Sequence, residues 1–172
     1  MSAAASEAGP HTYLLGLGSN RRHHRHGPPR AVLAAALARL AAEGLAVKAR
    51  SAVVASLPLG PSARLYANAA ALIETALAPP ALLALLKRIE RGFGRRPGGR
   101  RWGARVLDLD IVLWSGGRWA TPGLTIPHPA FRERGFVIGP AAAIAPHWRD
   151  PVTGRTLRQL SARLTRRNRL PR

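Results

Sequence analysis

Asp108 and Asp110 stand two residues apart in the run RWGARVLDLDIVLW at positions 101–114. The alternation there predicts a strand with both carboxylates on one face and Leu107, Leu109, Ile111 and Leu113 on the other, which reads as the core side. Carboxylates spaced about 6–7 Å along a strand repel one another, and burying them without partners is costly. A divalent cation such as Mg²⁺ removes both difficulties and leaves coordination sites for phosphate oxygens and water. The chain has 172 residues and only eight Asp and Glu. Two of the eight on one strand face therefore point to metal-assisted phosphate chemistry.

The segment before this strand, Arg91 to Arg105, holds six arginines among glycines and a proline, a composition suited to a cationic lid. Arg95, Arg96, Arg100, Arg101 and Arg105 can each fork onto phosphate oxygens. Trp102 adds a flat face for stacking. Together they suit a polyphosphate that carries an aromatic ring, and phosphoryl transfer asks mainly for positioning and charge neutralisation. The plainer alternatives are a half-solvated edge strand for Asp-Leu-Asp and a solvated face for the arginines.

The elements that must position these residues follow from periodicity and breakers. A leader over 1–10 precedes a short strand near Tyr13 to Leu17 that ends in the turn Gly18, Ser19 and Asn20. Residues 21–30 read as a polar loop, in which His23, His24 and His26 are solvated and not ligands, since no carboxylate or cysteine accompanies them. Pro28 and Pro29 open a helix with the stripe Val32, Leu33, Leu37 and Leu40, ending near Gly44. A strand over Val47 to Ser56 and another over Tyr66 to Leu77 come next. A second helix, opened by Pro79 and Pro80, presents Leu82, Leu83, Leu86 and Ile89 and stops at Gly92 and Gly94. After the Asp strand the chain turns through Thr125, Ile126, Pro127 and His128. Short helices are expected over Phe136 to Ile144 and Thr156 to Leu164. The order is that of an α+β, ferredoxin-like βαββαβ sandwich with additional C-terminal helices. Its boundaries are a leader over 1–10, a single domain over 11–164 and a basic tail over 165–172.

Composition narrows the classes. The absence of cysteine excludes disulfides, thiolate catalysis and cysteine-based zinc sites. No apolar run approaches membrane-spanning length, and the N-terminus lacks the pattern of a secretory signal, so a cytoplasmic protein without membrane contact is expected. A net charge of +19 suggests nucleic acid as a partner. Arginine is spread along the whole chain, however, so no specific nucleic-acid site is expected. No Walker motif GxxxxGK[ST] occurs, so a nucleotide would be held another way.

Five segments in order, GLGSN at 16–20, PLGP at 58–61, YANAA at 66–70, RWGARVLDLDI at 101–111 and PHPAFRERGFV at 127–137, with APHWRDPVTGRTL downstream, resemble the 6-hydroxymethyl-7,8-dihydropterin pyrophosphokinase family. The likeness covers about Tyr13 to Leu160. It implies transfer of the β,γ-diphosphate of ATP to a reduced pterin in folate synthesis, with ATP as co-substrate, release of AMP and two Mg²⁺ ions held by Asp108 and Asp110. It further implies Arg95, Arg105 and Asp110 as catalytic residues. Glu90, Trp102, Arg105, Ile111, His128 and Arg134 would meet ATP. Ser56, Leu57, Leu59, Tyr66, Asn68, Trp102 and Phe136 would line the pterin pocket, and the enzyme would be a monomer. Asn68 also stands out by itself, because asparagine is disfavoured in a strand unless its side chain is used. Pro97 and Ala104 depart from the family's pattern in the arginine loop, where Arg96 or Arg100 would supply the charge missing at Pro97.

Two rivals predict different observables. An RNA-binding ferredoxin-like domain would stack bases on strand aromatics and lose affinity steeply with salt. A kinase that moves only the γ-phosphoryl group would give ADP.

Overall fold

The protein is described here from a computed structural model, over residues 9–57, 64–94 and 105–169. The strands are β1 His11–Ser19, β2 Ala46–Arg50, β3 Val54–Ser56, β4 Tyr66–Thr75, β5 Asp108–Trp114, β6 Trp119–Thr121 and β7 Leu124–Ile126. The helices are α1 Pro29–Ala42, α2 Pro79–Gly92, α3 Gly135–Ile144 and α4 Leu157–Arg169, with a 3-10 turn at Phe131–Glu133. All pairings are antiparallel in the order β2-β4-β1-β5, with β3 also on β4. This is the α+β sandwich expected, with β1 and β4 at its centre.

Alternation along β1 explains the layers. Tyr13, Leu15 and Leu17 face one side and pack with Val32, Leu33, Ala36 and Leu40 of α1 and Leu82, Leu86 and Ile89 of α2. Leu14 faces the other side and packs with Ile138 and Ala141 of α3 and Leu157 and Leu160 of α4. The sheet is therefore covered on both faces. Prolines at the first positions start α1 and α2. Thr156 and Gln159 cap α4 reciprocally, each backbone N–H donating to the other's side-chain oxygen at 3.0 and 3.2 Å.

Several local expectations are corrected. The strand expected over Val47 to Ser56 splits at 51–53, because the Ser51 hydroxyl takes the Ala70 N–H at 2.9 Å in place of a ladder carbonyl. Gly18 and Ser19 are strand and not turn. Trp119–Thr121 and Leu124–Ile126 form a hairpin where only a turn was expected. The register between β1 and β5 slips so that Leu14 pairs Leu113 while Leu15 pairs Ile111. Val112 is the extra residue, and Leu113 thereby joins the α3 and α4 side, not the side of Leu107, Leu109 and Ile111. His23 is 7% exposed, not solvated. Its Nδ1 accepts the N–H groups of Arg25 and His26, and its ring and that of His26 lie against Phe93. The final helix runs to Arg169, past Leu164 and into the expected tail. Most of the expected leader lies outside the described residues. No helix among the described residues is long and apolar enough to cross a membrane.

Candidate active site

On the α3 and α4 side, β1 carries Leu14, Gly16 and Gly18 at alternate positions. The helices cover Leu14; beyond it the two glycines leave nothing to pack against. Their neighbours across the sheet are Asn68 and Asp108 for Gly18, and Ala70 and Asp110 for Gly16. The result is a cleft of about 410 Å³ whose floor is the glycine strand. Asp108 and Asp110 stand along one wall and Asn68 on the other. A Cβ at Gly18 would lie 3.7 Å from Asn68 Oδ1 and 4.0 Å from Asp108 Cβ, so the cleft is narrow at that point.

The cleft divides by chemistry. Asp108, Asp110, Arg105, His128 and Arg134 bring its acidic and basic side chains, while Ser56, Leu57, Tyr66, Asn68, Phe136 and Val137 line the part without them. Arg105 Nη1 donates to Asp108 Oδ1 at 2.8 Å, both side chains about a quarter exposed. Burial pushes the Asp110 carboxyl above its ordinary range and neighbouring Asp108 pushes it further, against the opposing pull of His128, Lys87 and Arg134. Two carboxylates on one strand face, one of them driven toward its neutral form, are a donor set that a hard divalent cation would relieve. No group of three or more potential metal ligands occurs among the described residues. A cation here would therefore take its remaining ligands from substrate and water, as Mg²⁺ commonly does.

His128 is set by the chain around it. Its N–H donates to Val112 O at 3.0 Å, which ties it to the bulge in β5, and it follows the cis peptide Ile126–Pro127. Nδ1 accepts the Ala130 N–H at 3.2 Å, which leaves Nε2 as the hydrogen-bearing nitrogen. Burial lowers the imidazole's pKa, against the pull of Asp110, so at neutral pH the ring is a neutral donor. Arg134 lies at the N-terminal boundary of α3. The 3-10 turn before it is pinned by Arg132, whose Nε and Nη2 donate to both oxygens of buried Asp150 at 2.7 and 2.6 Å. Asn68 Nδ2 donates to Ser56 Oγ at 2.8 Å, which holds the amide across β3 and β4.

Of the residues expected at a site, Ser56, Leu57, Tyr66, Asn68, Arg105, Asp108, Asp110, His128, Arg134 and Phe136 meet at this one cleft. Two do not line it. Glu90 is fully buried on α2; its Oε1 accepts the N–H of Leu109 at 2.7 Å and Lys87 Nζ lies 3.1 Å away, so it braces the backbone between the two aspartates. Ile111 points into the core on the α1 and α2 side. Leu59, Arg95, Arg96, Arg100 and Trp102 lie outside the described residues. Sequence reasoning missed the floor, Gly16 and Gly18, although glycine at alternate strand positions is a signal for close approach by another group.

Residues 14–146 match the family 7,8-dihydro-6-hydroxymethylpterin-pyrophosphokinase (HPPK). A 2-amino-4-hydroxy-6-hydroxymethyldihydropteridine pyrophosphokinase of Methylorubrum extorquens is 41% identical over 152 residues, covering 87% of this chain and 91% of the relative. A protein of the same name from Synechocystis sp. is 39% identical over 151 residues, covering 87% of this chain and 74% of the relative. Among solved structures, Plasmodium falciparum HPPK-DHPS superposes with a TM-score of 0.74 at 13% identity, over 95% of this chain and 42% of that one. That likeness concerns the fold, and this chain spans less than half of the longer protein.

Proposed function

The chain belongs to the 7,8-dihydro-6-hydroxymethylpterin-pyrophosphokinase family, and from that premise we propose how its cleft works. It is an enzyme of folate biosynthesis, a 2-amino-4-hydroxy-6-hydroxymethyldihydropteridine diphosphokinase, which transfers a pyrophosphoryl group from ATP to hydroxymethyldihydropterin. In our reading residues 11–164 act as one catalytic domain, and the chain works as a cytoplasmic monomer.

The pterin enters the part bounded by Ser56, Leu57, Tyr66, Asn68 and Phe136. There the Asn68 amide, oriented by Ser56, meets the ring edge, and the aromatics lie against its faces. The triphosphate lies along Asp108, Asp110, His128 and Arg134. Asp108 and Asp110 would hold Mg²⁺, which would neutralise phosphate charge and orient the reacting groups. The pterin hydroxyl oxygen attacks the β-phosphorus and gives up its proton to the Asp110 carboxylate or to solvent, the bond from that phosphorus to the oxygen shared with the α-phosphate breaks, and AMP leaves. Arg105, Arg134 and the His128 Nε2–H donate to oxygens on which charge grows. Arg105 pairs with Asp108 at the cleft wall, so it is close at hand to turn onto phosphate.

The observation that carries this reading is the row Asn68, Gly18, Asp108 across three neighbouring strands. It sets a ring-recognising amide and a metal-type carboxylate on opposite sides of one narrow glycine floor. The test is to incubate the purified chain with 6-hydroxymethyl-7,8-dihydropterin, ATP and Mg²⁺ and to identify the nucleotide product. AMP formed only with pterin and Mg²⁺ together supports the reading; ADP, or no product at saturation, refutes it.

A further inference from the structure

Asn20 follows the last residue of β1, is 3% exposed and does not line the cleft. Its hydrogen bonds nevertheless close around Arg105. The Asn20 N–H donates to the Arg105 carbonyl at 3.1 Å, and Asn20 Oδ1 accepts the Arg105 N–H at 2.8 Å. The ladder between β1 and β5 ends at the pair Gly18 and Asp108. Arg105 lies beyond it, outside any strand, and this one residue takes up both its backbone groups. Asn20 Nδ2, in contrast, is buried and has no hydrogen-bond partner among the described residues. A buried donor left unpaired costs about 1–3 kcal/mol, so the side chain's contribution is its oxygen, spent wholly on Arg105.

We propose that Asn20 is a positioning residue for pyrophosphoryl transfer: it fixes the Arg105 backbone so that the guanidinium stands beside Asp108 at the cleft wall, where the phosphates lie. An arginine side chain is long and flexible, so its reach is defined only if its anchor is. A displacement of about 1 Å at a catalytic group can cost about 10²-fold in rate. The ladder itself cannot supply this anchor, because it has ended two residues earlier along β1. The inference rests on the reading of Arg105 as a phosphate-binding residue.

The experiment measures kcat and both KM values by AMP formation in the full chain carrying Asn20→Ala, Asn20→Asp, Arg105→Ala or the Asn20→Ala, Arg105→Ala pair, with a thermal melt for each. Asn20→Ala is expected to lower kcat about tenfold or more and to leave the pterin KM within about twofold, since the pterin wall is untouched. Asn20→Asp keeps the acceptor and removes the unpartnered donor, and is expected to recover most of kcat. In the Arg105→Ala background, Asn20→Ala is expected to cost nothing further, because residues acting through one another are not additive. Should Asn20→Ala not fold, Asn20→Ser, too short to reach the Arg105 N–H, replaces it. Wild-type kcat in Asn20→Ala, no recovery in Asn20→Asp, or an equal further loss in the double variant overturns the proposal. Wild-type kcat in Arg105→Ala overturns instead the reading of Arg105 on which it rests.

Discussion

Asp110 illustrates how a residue can be costly to the fold and, on the proposed reading, serve the chemistry. Burial and the neighbouring Asp108 raise its pKa above the ordinary 3.8. A carboxyl raised in the folded state lowers stability once pH exceeds its unfolded value, because the folded protein must then hold a charge that the unfolded chain holds more easily. Asp110→Asn removes that charge and keeps the shape. Without Mg²⁺ and at neutral pH it is expected to melt no lower than the wild type, while turnover falls about 10²-fold or more and pterin binding by calorimetry persists. A variant that melts lower and keeps its turnover would contradict both parts. Gly18 gives the converse case. Alanine there meets its neighbours at ordinary contact distances of 3.7 and 4.0 Å, so the fold should tolerate it. Its methyl group stands on the cleft floor between Asn68 and Asp108, and KM for the pterin is expected to rise about tenfold with an unchanged urea midpoint.

Strand β5 is an edge strand, and such a strand leaves backbone groups open on its outer side. Helix α2 answers this with Glu90, which is wholly buried, takes the Leu109 N–H and is balanced by Lys87. The brace falls on the residue between the two aspartates, so it fixes their common backbone. Glu90→Ala is expected to destabilise the protein by about 1–3 kcal/mol, the cost of a buried unpaired N–H. Glu90→Gln keeps an acceptor and should lose much less. Urea unfolding of the two variants checks the order, and equal losses would mean that the charge and not the hydrogen bond carries the effect. The bulge at Val112 has a comparable role in the same strand. It frees the Val112 carbonyl for the His128 N–H and so ties the histidine's segment to the strand of the aspartates.

Across the whole molecule, α3 and α4 cover one half of a sheet face and leave the other half as the cleft. An RNA-binding ferredoxin-like domain keeps such a face for stacked bases. Here it holds helices, glycines and two carboxylates. Asp150, in the turn before α4, secures the helical layer to the 3-10 turn that precedes Arg134. Burial works against its charge, but hydrogen bonds from Arg132, Thr153 and the Val152 N–H outweigh that and hold the carboxyl at about 2, below the ordinary 3.8. A carboxyl depressed in the folded state contributes stability that is fully present above its unfolded pKa and is lost as pH falls through the folded one. The contribution is about 2 kcal/mol, lost between about pH 4 and pH 2. Asp150→Asn is expected to unfold at a lower urea concentration at pH 6, with the gap to the wild type narrowing as pH falls toward 2. A gap that does not change with pH would show that packing, not charge, secures the turn.

The sequence by itself determined the βαββαβ order of the main sheet and its helices, the two proline-started helices, the carboxylate pair and the family likeness, because each is written in local spacing. Ten residues expected at the site do meet at one cleft, most of them within the family's segments. Hydrophobic periodicity could not reveal the slip at Val112, since a bulge depends on which strand lies alongside. Nor could it show that Gly18 continues a central strand: glycine favours turns locally, and only pairing with β4 and β5 makes it a floor. The family likeness, and no local pattern, put Glu90 among the residues that would meet ATP. Tertiary packing instead turned it inward, where the unpaired N–H of an edge strand is worth more to a buried carboxylate than solvent. Asn20, read as a turn residue, became the anchor of Arg105 through a contact 85 residues away in sequence, which no local pattern encodes.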